Sequence, residues 1–414
     1  MSCVFNVLFP YQNRMKFVFI FPLIFFVMDL AHGEQYPELG VKVDIIAEDL
    51  SVPWSIDFAP DGRIFFSERS GVLNILDGNS KIEILNLDVG GGEGGLLGIT
   101  LDPNFDENHY VYIFYTYNDF LEIKNKLVRF VEKDNKLSEQ KILLDGIPGS
   151  PWHDGGRIKF GPDGKLYITT GDAINPVLSQ DVKSVGGKIL RINSDGSIPE
   201  DNPFGSAIYS IGHRNPQGIT WDKFGNLIAT EHGPSGFRGS AHDEVNLIIS
   251  GQNYGWPDVI GDEVKDGAIN PILHSGEITW APSGTDFYYG NEMPIFVDKL
   301  LIATLKGEHI HFVEFDESFK IQSDGEIFSN EFGRLRDIVE GPDGLYILTS
   351  NQDGRGNPNL NDDKILRISS MYDFKNSPIW VQNISKWYLE DKITKQDAIF
   401  GISYLVKNEI LKSY

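Results

Sequence analysis

His153 and Asp172 stand where a carboxylate can hold an imidazole. Trp152-His153-Asp154-Gly155-Gly156-Arg157 leads into a strand-like stretch, the Pro162-Asp163-Gly164 turn reverses the chain, and Thr170-Gly171-Asp172 returns it to the starting end. A carboxylate beside an imidazole fixes its tautomer and raises its basicity, the arrangement a general base needs. The same spacing also suits a structural His–Asp pair bridging strand and loop. A second such hairpin begins at Gly212-His213-Arg214-Asn215-Pro216-Gln217-Gly218 and ends at Glu231-His232-Gly233-Pro234; Leu305-Lys306-Gly307 and Gly333-Arg334-Leu335-Arg336-Asp337 complete the set. Singly, such basic residues are ordinary surface ion pairs. Together, three arginines and a lysine at hairpin ends suit a small polyanion bearing several carboxylates.

A repeat aligns these residues. Phe58-Ala59-Pro60-Asp61-Gly62-Arg63-Ile64, Phe160-Gly161-Pro162-Asp163-Gly164-Lys165-Leu166 and Gly341-Pro342-Asp343-Gly344-Leu345-Tyr346 share one pattern, with a looser copy around Phe224-Gly225. Pro-Asp-Gly between apolar, aromatic-rich runs joins two strands. Eleven residues before the turn glycine lie His153 and Arg214; ten before lie Asn215 and Arg334; eight before lies Arg336. Equivalent positions in a repeat are equivalent in space, so these groups converge. Leu101–Thr116 and Met293–Lys306 fit as further units. Six units of about 55 residues match an all-β fold, a six-bladed β-propeller of four-stranded antiparallel blades. Val41–Ile46 is expected to join the sheet of Lys364–Ile368 and close the ring. A β-sandwich is the competing architecture.

Composition narrows the function. The chain has 414 residues and a formal charge of -23, which argues against nucleic acid as a partner and fits a site holding a cation. Its single cysteine, Cys3, excludes a disulfide scaffold. Met15-Lys16, the apolar run Phe17–Met28 and Ala31-His32-Gly33 form a secretory signal over residues 1–33, with Met15 as an alternative start, so the expected location is extracytoplasmic. An uncleaved signal or the tail is the expected route to a membrane. The propeller is expected over 36–370, a linker over 371–378 and a small α-helical tail over 379–414, where Thr394-x-x-Asp397 reads as a capping box.

At this point the chain resembles the soluble pyrroloquinoline quinone (PQQ) sugar dehydrogenases, the glucose/sorbosone dehydrogenase family. The resemblance runs from Val41 to Ile368 through Gly94-Gly95-Leu96-Leu97-Gly98, His153 with Asp172, Arg214-Asn215, Gly233-Pro234, Asp243-Glu244-Val245-Asn246-Leu247, Asn253-Tyr254-Gly255-Trp256-Pro257, Lys306 and Arg334-x-Arg336. It implies oxidation of an aldose to its lactone by hydride transfer to PQQ, with electrons passed on to an unknown acceptor. His153 then takes the proton of the anomeric hydroxyl, Asp172 orients it, and Arg214 polarises the quinone carbonyl. Asn215, Lys306, Arg334 and Arg336 hold PQQ, and the carbonyls of Gly233 and Pro234 hold a catalytic calcium. Glu244 matches a position associated with a structural calcium. Glu93 replaces a glutamine of the glucose-specific branch and Trp152 an acidic residue. Both positions touch cofactor or sugar, so the pattern is similar to the broader aldose sugar dehydrogenases. The tail resembles a short helical module of exported archaeal proteins.

Other signals carry less. Gly90–Gly95 satisfies GxGxxG, but a strand and Pro103 follow instead of a helix. Asn351–Asp363 lacks EF-hand spacing and reads as a solvated loop. His213, His232 and His242 have no zinc-ligand spacing. Two other functions compete: a calcium-dependent lactonase, which has no tricarboxylate to hold with paired arginines, and a non-catalytic carbohydrate-binding propeller.

Overall fold

The computed structural model describes residues 33–37, 39–234 and 241–372, with 387, 392–394, 397, 401, 404 and 405 beyond them. Six antiparallel sheets follow one another along the chain. Blade 1 comprises Pro53–Phe58, Ile64–Glu68, Val72–Asp77 and Ser80–Asn86. Blade 2 comprises Leu96–Leu101, Tyr110–Asp119, Glu122–Lys133 and Lys136–Pro148; blade 3, Gly155–Phe160, Leu166–Thr170, Lys188–Ile192 and Ile208–Ile211. Blade 4 comprises Pro216–Trp221, Leu227–Glu231, Glu244–Ile248 and Leu273–His274; blade 5, Pro282–Phe287, Leu300–Thr304, Ile310–Phe315 and Ile321–Ile327. Blade 6 takes Leu335–Gly341, Gly344–Thr349 and Ile365–Ser370 from the far end and Val41–Ala47, edged by Glu34–Tyr36, from the near end. The fold is the six-bladed β-propeller that the repeat predicts. Its closure is also as expected: Val41 pairs with Ser370 and Val43 with Ile368.

The strands are apolar on both sides because each blade is buried between two others. Leu166 and Ile168 pack against blade 2, whereas Tyr167 between them packs toward blade 4. In blade 4, Leu227 and Ala229 face blade 3 while Ile228 faces blade 5. Six apolar clusters thus fill the six clefts between neighbouring blades.

The turns do what their sequence demands. Gly164 adopts φ +70° with open space around it, so backbone conformation rather than crowding selects glycine there. Asp163 Oδ1 accepts the Lys165 N–H, and Gly161 N–H reaches the Lys165 carbonyl. These turns lie at the end opposite the candidate site.

At the site end, all six innermost strands shift register against their neighbours: between Pro53 and Ser55, Leu96 and Ile99, Gly155 and Ile158, Pro216 and Gly218, Pro282 and Thr285, and Leu335 and Asp337. A bulge bends a strand and re-aims its side chains. Trp54, Arg157, Gln217 and Arg336 are the residues so displaced, and they meet on the propeller axis. The Arg157 guanidinium lies 4.2 Å from the Trp54 ring centre, and Arg336 Nη1 donates to Gln217 Oε1 at 2.7 Å.

The signal expected over 1–33 and the linker at 371–378 lie outside the described residues but for Gly33, Met371 and Tyr372. In the tail, Thr394 Oγ1 donates to Asp397 Oδ2 and accepts the Asp397 N–H, the predicted capping pair. Asp397, Gly401, Tyr404 and Leu405 are helical, and Leu405 is buried. The rest of the tail expected over 379–414 lies outside the described residues but for Trp387, Lys392 and Ile393. Among the described residues no helix is long and apolar enough to cross a membrane.

Candidate active site

His153 sits where blade 3 begins, in the left-handed region at φ +64°, a conformation non-glycine residues adopt mostly where surroundings enforce it. The enforcement is visible. A Cβ on Gly171 would lie 1.8 Å from the His153 carbonyl oxygen, so the two segments of the hairpin touch backbone to backbone. That contact places His153 Nδ1 2.7 Å from Asp172 Oδ1. Asp172 is buried, and its Oδ1 also accepts the Ile174 N–H at 2.8 Å. With Nδ1 engaged, Nε2 is the nitrogen left to act on a ligand. The predicted pair is present.

Beside it lies a cleft of 210 Å³, lined among others by Arg69, Glu93, Trp152, Gln217, His232, Leu305, Arg334, Arg336, Asp353 and Arg355. Cations dominate it. Arg334 donates from Nε and Nη2 to Asp353 Oδ2 at 2.9 and 2.7 Å, and from Nη1 to the Leu305 carbonyl at 3.1 Å. Burial works against the charge of Asp353, but Arg334 and Arg336 outweigh it and hold the carboxyl below its usual range. Arg355 Nη1 closes on Glu93 Oε1 at 2.6 Å. Arg336 is buried, and burial drives it down to about 9, with Arg69 and Arg334 adding like-charge repulsion. A guanidinium keeps its proton at such a site, so the depression measures electrostatic stress. Burial also lowers Arg69. His232 is pushed down to about 3, burial first and Arg214 and Arg336 helping, so its ring is neutral. The Nε of Arg336 and Nε2 of His232 are buried without a hydrogen-bond partner. Stressed cations lining one cleft, with orphaned polar atoms on two of its lining residues, fit a multiply charged anion.

Arg214 is near, not in, this cleft: Nη1 donates to the His232 carbonyl at 3.2 Å, and the guanidinium lies over the Trp256 ring. Asn215 is wholly buried. Its Oδ1 accepts the Gly155 N–H at 3.0 Å and its Nδ2 lies 3.5 Å from His232 Nδ1, so its carboxamide is engaged within the protein. Lys306 is exposed, next to the cleft-lining Leu305. Trp152 forms the rim at 47% exposure.

The Gly233–Pro234 peptides are held by Asp243, whose Oδ1 accepts the Gly233 N–H at 2.8 Å and whose Oδ2 accepts those of Trp280 and Ala281. Glu244 shares Asn246 with Glu231, since Asn246 Nδ2 donates to both carboxylates at 3.1 and 2.9 Å. Burial and then Glu231 push Glu244 up to about 8. Two carboxylates so placed, and carbonyls fixed beside an acidic side chain, are groups that calcium takes. Among the described residues no three His, Cys, Asp or Glu side chains form a metal site by themselves.

Arg69, His232, Asp353 and Arg355 were not among the site residues expected from sequence. Asn351–Asp363 is no mere solvated loop, because it carries Asp353 and Arg355 into the cleft. The signal was the repeat itself. Arg69, Asp172, His232 and Asp353 each follow the second strand of a blade, whereas His153, Arg214 and Arg334 precede the first.

The family model for glucose/sorbosone dehydrogenase matches residues 50–366. Quinoprotein glucose dehydrogenase B of Acinetobacter calcoaceticus is 28% identical, covering 78% of this chain and 87% of its own. Aldose sugar dehydrogenase YliI of Escherichia coli is 29% identical, covering 76% and 91%. The PQQ-bound aldose sugar dehydrogenase of Streptomyces coelicolor superposes with a TM-score of 0.71 at 34% identity, over 80% of this chain and 99% of that one.

Proposed function

The chain belongs to the glucose/sorbosone dehydrogenase family, and we propose that it oxidises aldoses at the anomeric carbon to lactones with PQQ and calcium. The observation that carries the reading is the juxtaposition of the His153–Asp172 pair with a cleft of stressed guanidinium groups. PQQ, when bound, supplies the acceptor for the anomeric hydride. Arg334, Arg336 and Arg69 would hold its carboxylates, with Lys306 reaching in from the rim and the orphaned Nε2 of His232 facing the same space. Arg214 supplies positive charge at its edge. The Gly233 and Pro234 carbonyls would hold the catalytic calcium, and Glu244 with Glu231 a structural one.

His153 removes the hydroxyl proton through Nε2 while Asp172 stabilises the imidazolium that forms. Trp152, Glu93 and Arg355 shape the outer wall against which the sugar lies. The charged Glu93–Arg355 bridge favours polyhydroxylated, uncharged substrates. A lactonase has no tricarboxylate to hold, so the guanidinium groups gathered in the cleft favour the dehydrogenase reading. The expected location is extracytoplasmic, from the leader read over 1–33.

The test is dye reduction by protein reconstituted with PQQ and calcium against a panel of aldoses. Activity should require both additions. His153→Ala should lower kcat by roughly 10²- to 10⁴-fold while PQQ still binds, as judged by its absorbance on the protein. Full activity in that variant would remove His153 from the reaction.

A further inference from the structure

We propose that Trp256 is a positioning residue for the catalytic base, because its indole N–H holds the second oxygen of Asp172. The bond runs from Nε1 to Asp172 Oδ2 at 2.8 Å, between side chains that are both buried. Asp172 Oδ1 has two donors, His153 and the Ile174 N–H. Oδ2 has Trp256 as its sole hydrogen-bond donor among the described residues. A carboxylate held at one oxygen still turns about its Cβ–Cγ bond; held at both, it fixes the plane in which the imidazole must lie. Removing an outer partner that orients a functional group through another typically costs roughly 10- to 100-fold in activity.

The indole is in turn anchored. Trp256 N–H donates to the Gly212 carbonyl at 3.0 Å, and its own carbonyl accepts Gln180 Nε2 at 2.6 Å. Gln180 exchanges two further bonds with Asn253, three residues before the tryptophan. The segment carrying Gln180 is clamped by the Lys188 ammonium, which donates to the carbonyls of Leu178, Ser179 and Gly186. The far face of the indole meets Arg214, whose Cζ lies 5.4 Å from the ring centre, and Arg214 returns its carbonyl to the Asp172 N–H at 2.8 Å. One side chain therefore sets the register between the base pair and the cation beside the cofactor cleft. An aromatic ring suffices for the Arg214 contact, and the indole N–H adds the bond to Asp172 that phenylalanine or tyrosine at this position lacks.

The inference rests on His153 being the base, so its test has an arm independent of turnover. Trp256→Phe removes the donor and keeps a smaller aromatic ring, so the comparison across Asp172 backgrounds separates the lost bond from the lost volume. With the enzyme reconstituted, kcat should fall roughly 10- to 100-fold, with KM for the aldose and affinity for PQQ within about 2-fold. In the Asp172→Asn background the same substitution should cost under about 2-fold, since the partner is already changed. An equal loss in both backgrounds, or none in either, would overturn the proposal. In the protein without cofactor, the Trp256 indole resonance in a ¹H–¹⁵N spectrum should sit at low field and move upfield in Asp172→Asn. An unmoved resonance would overturn it whether or not sugar is oxidised, and this arm stands even if Trp256→Phe does not fold.

Discussion

Asp154, next to the proposed base, has a carboxyl that burial works against. Its Oδ1 accepts Asn125 Nδ2 at 3.1 Å and the Ser150 N–H at 3.2 Å, but Oδ2 is buried without a partner. Burial raises it to about 7, and the nearby Glu93 adds to the shift. Between the unfolded value near 4 and this folded value the native state binds the extra proton, so stability falls as pH rises across that window. Asp154→Asn removes the dependence. In urea unfolding its stability relative to wild type should improve by roughly 4 kcal/mol from pH 4 to pH 8; parallel profiles would show that the carboxyl is solvated. The sequence displays Asp154 only as a neighbour of His153. The His153–Asp172 pair was legible because both members sit at fixed offsets from one turn. Arg355 was not, because its partner Glu93 lies 262 positions away in the chain, and no local pattern encodes a contact across a closed ring.

Hairpins were the legible elements. Pro-Asp-Gly announces the reversal in blades 1, 3 and 6, and the strands beside it are apolar because both faces are buried. The outer strands were not legible: Ser80–Asn86 and Lys136–Pro148 are largely solvent-facing, and the second carries only the short apolar run Ile142-Leu143-Leu144. Nor were the six register shifts at the site end, which arise from pairing and are silent in either strand alone. Yet they turn Trp54, Arg157, Gln217 and Arg336 into the axis, so the floor of the cleft depends on them. The Gly171 contact belongs to this level. Gly171→Ala forces a methyl group into the space of the His153 carbonyl, and the hairpin must open there. Overpacking of this kind costs typically 1–3 kcal/mol, and we expect that loss in urea together with at least a tenfold drop in kcat. Retention of PQQ affinity should accompany it, because the arginines come from blades 1 and 6. A variant with normal kcat would mean that the pair tolerates displacement, and that hairpin geometry does not set the base.

For the whole molecule, the decisive contact is the one that makes a ring of a linear array. Each blade buries its faces against two neighbours, so an open array would leave two apolar blade faces in water. Blade 6 prevents this by combining Ile365–Ser370 with Val41–Ala47, strands from opposite ends of the propeller. Val41 and Val43 are buried in the cleft between blades 5 and 6, which ties the near end of the chain to the same cluster that supports Leu335, the residue between Arg334 and Arg336. Ring closure and the cofactor cleft are therefore mechanically one unit. If opening of this seam is the first step of unfolding, a covalent bond across it stabilises the fold. Lys42 and Ser369 face each other directly in the pairing, and the only native cysteine is Cys3. The pair Lys42→Cys and Ser369→Cys, oxidised, closes a loop spanning nearly the whole propeller, for which about 2–4 kcal/mol is the usual gain. The oxidised variant should show a higher thermal midpoint than its reduced form, and slower loss of bound PQQ on heating. An unchanged midpoint with the disulfide formed would place the weakest seam between two other blades, and the closing strand would then be a passenger in the stability of the ring.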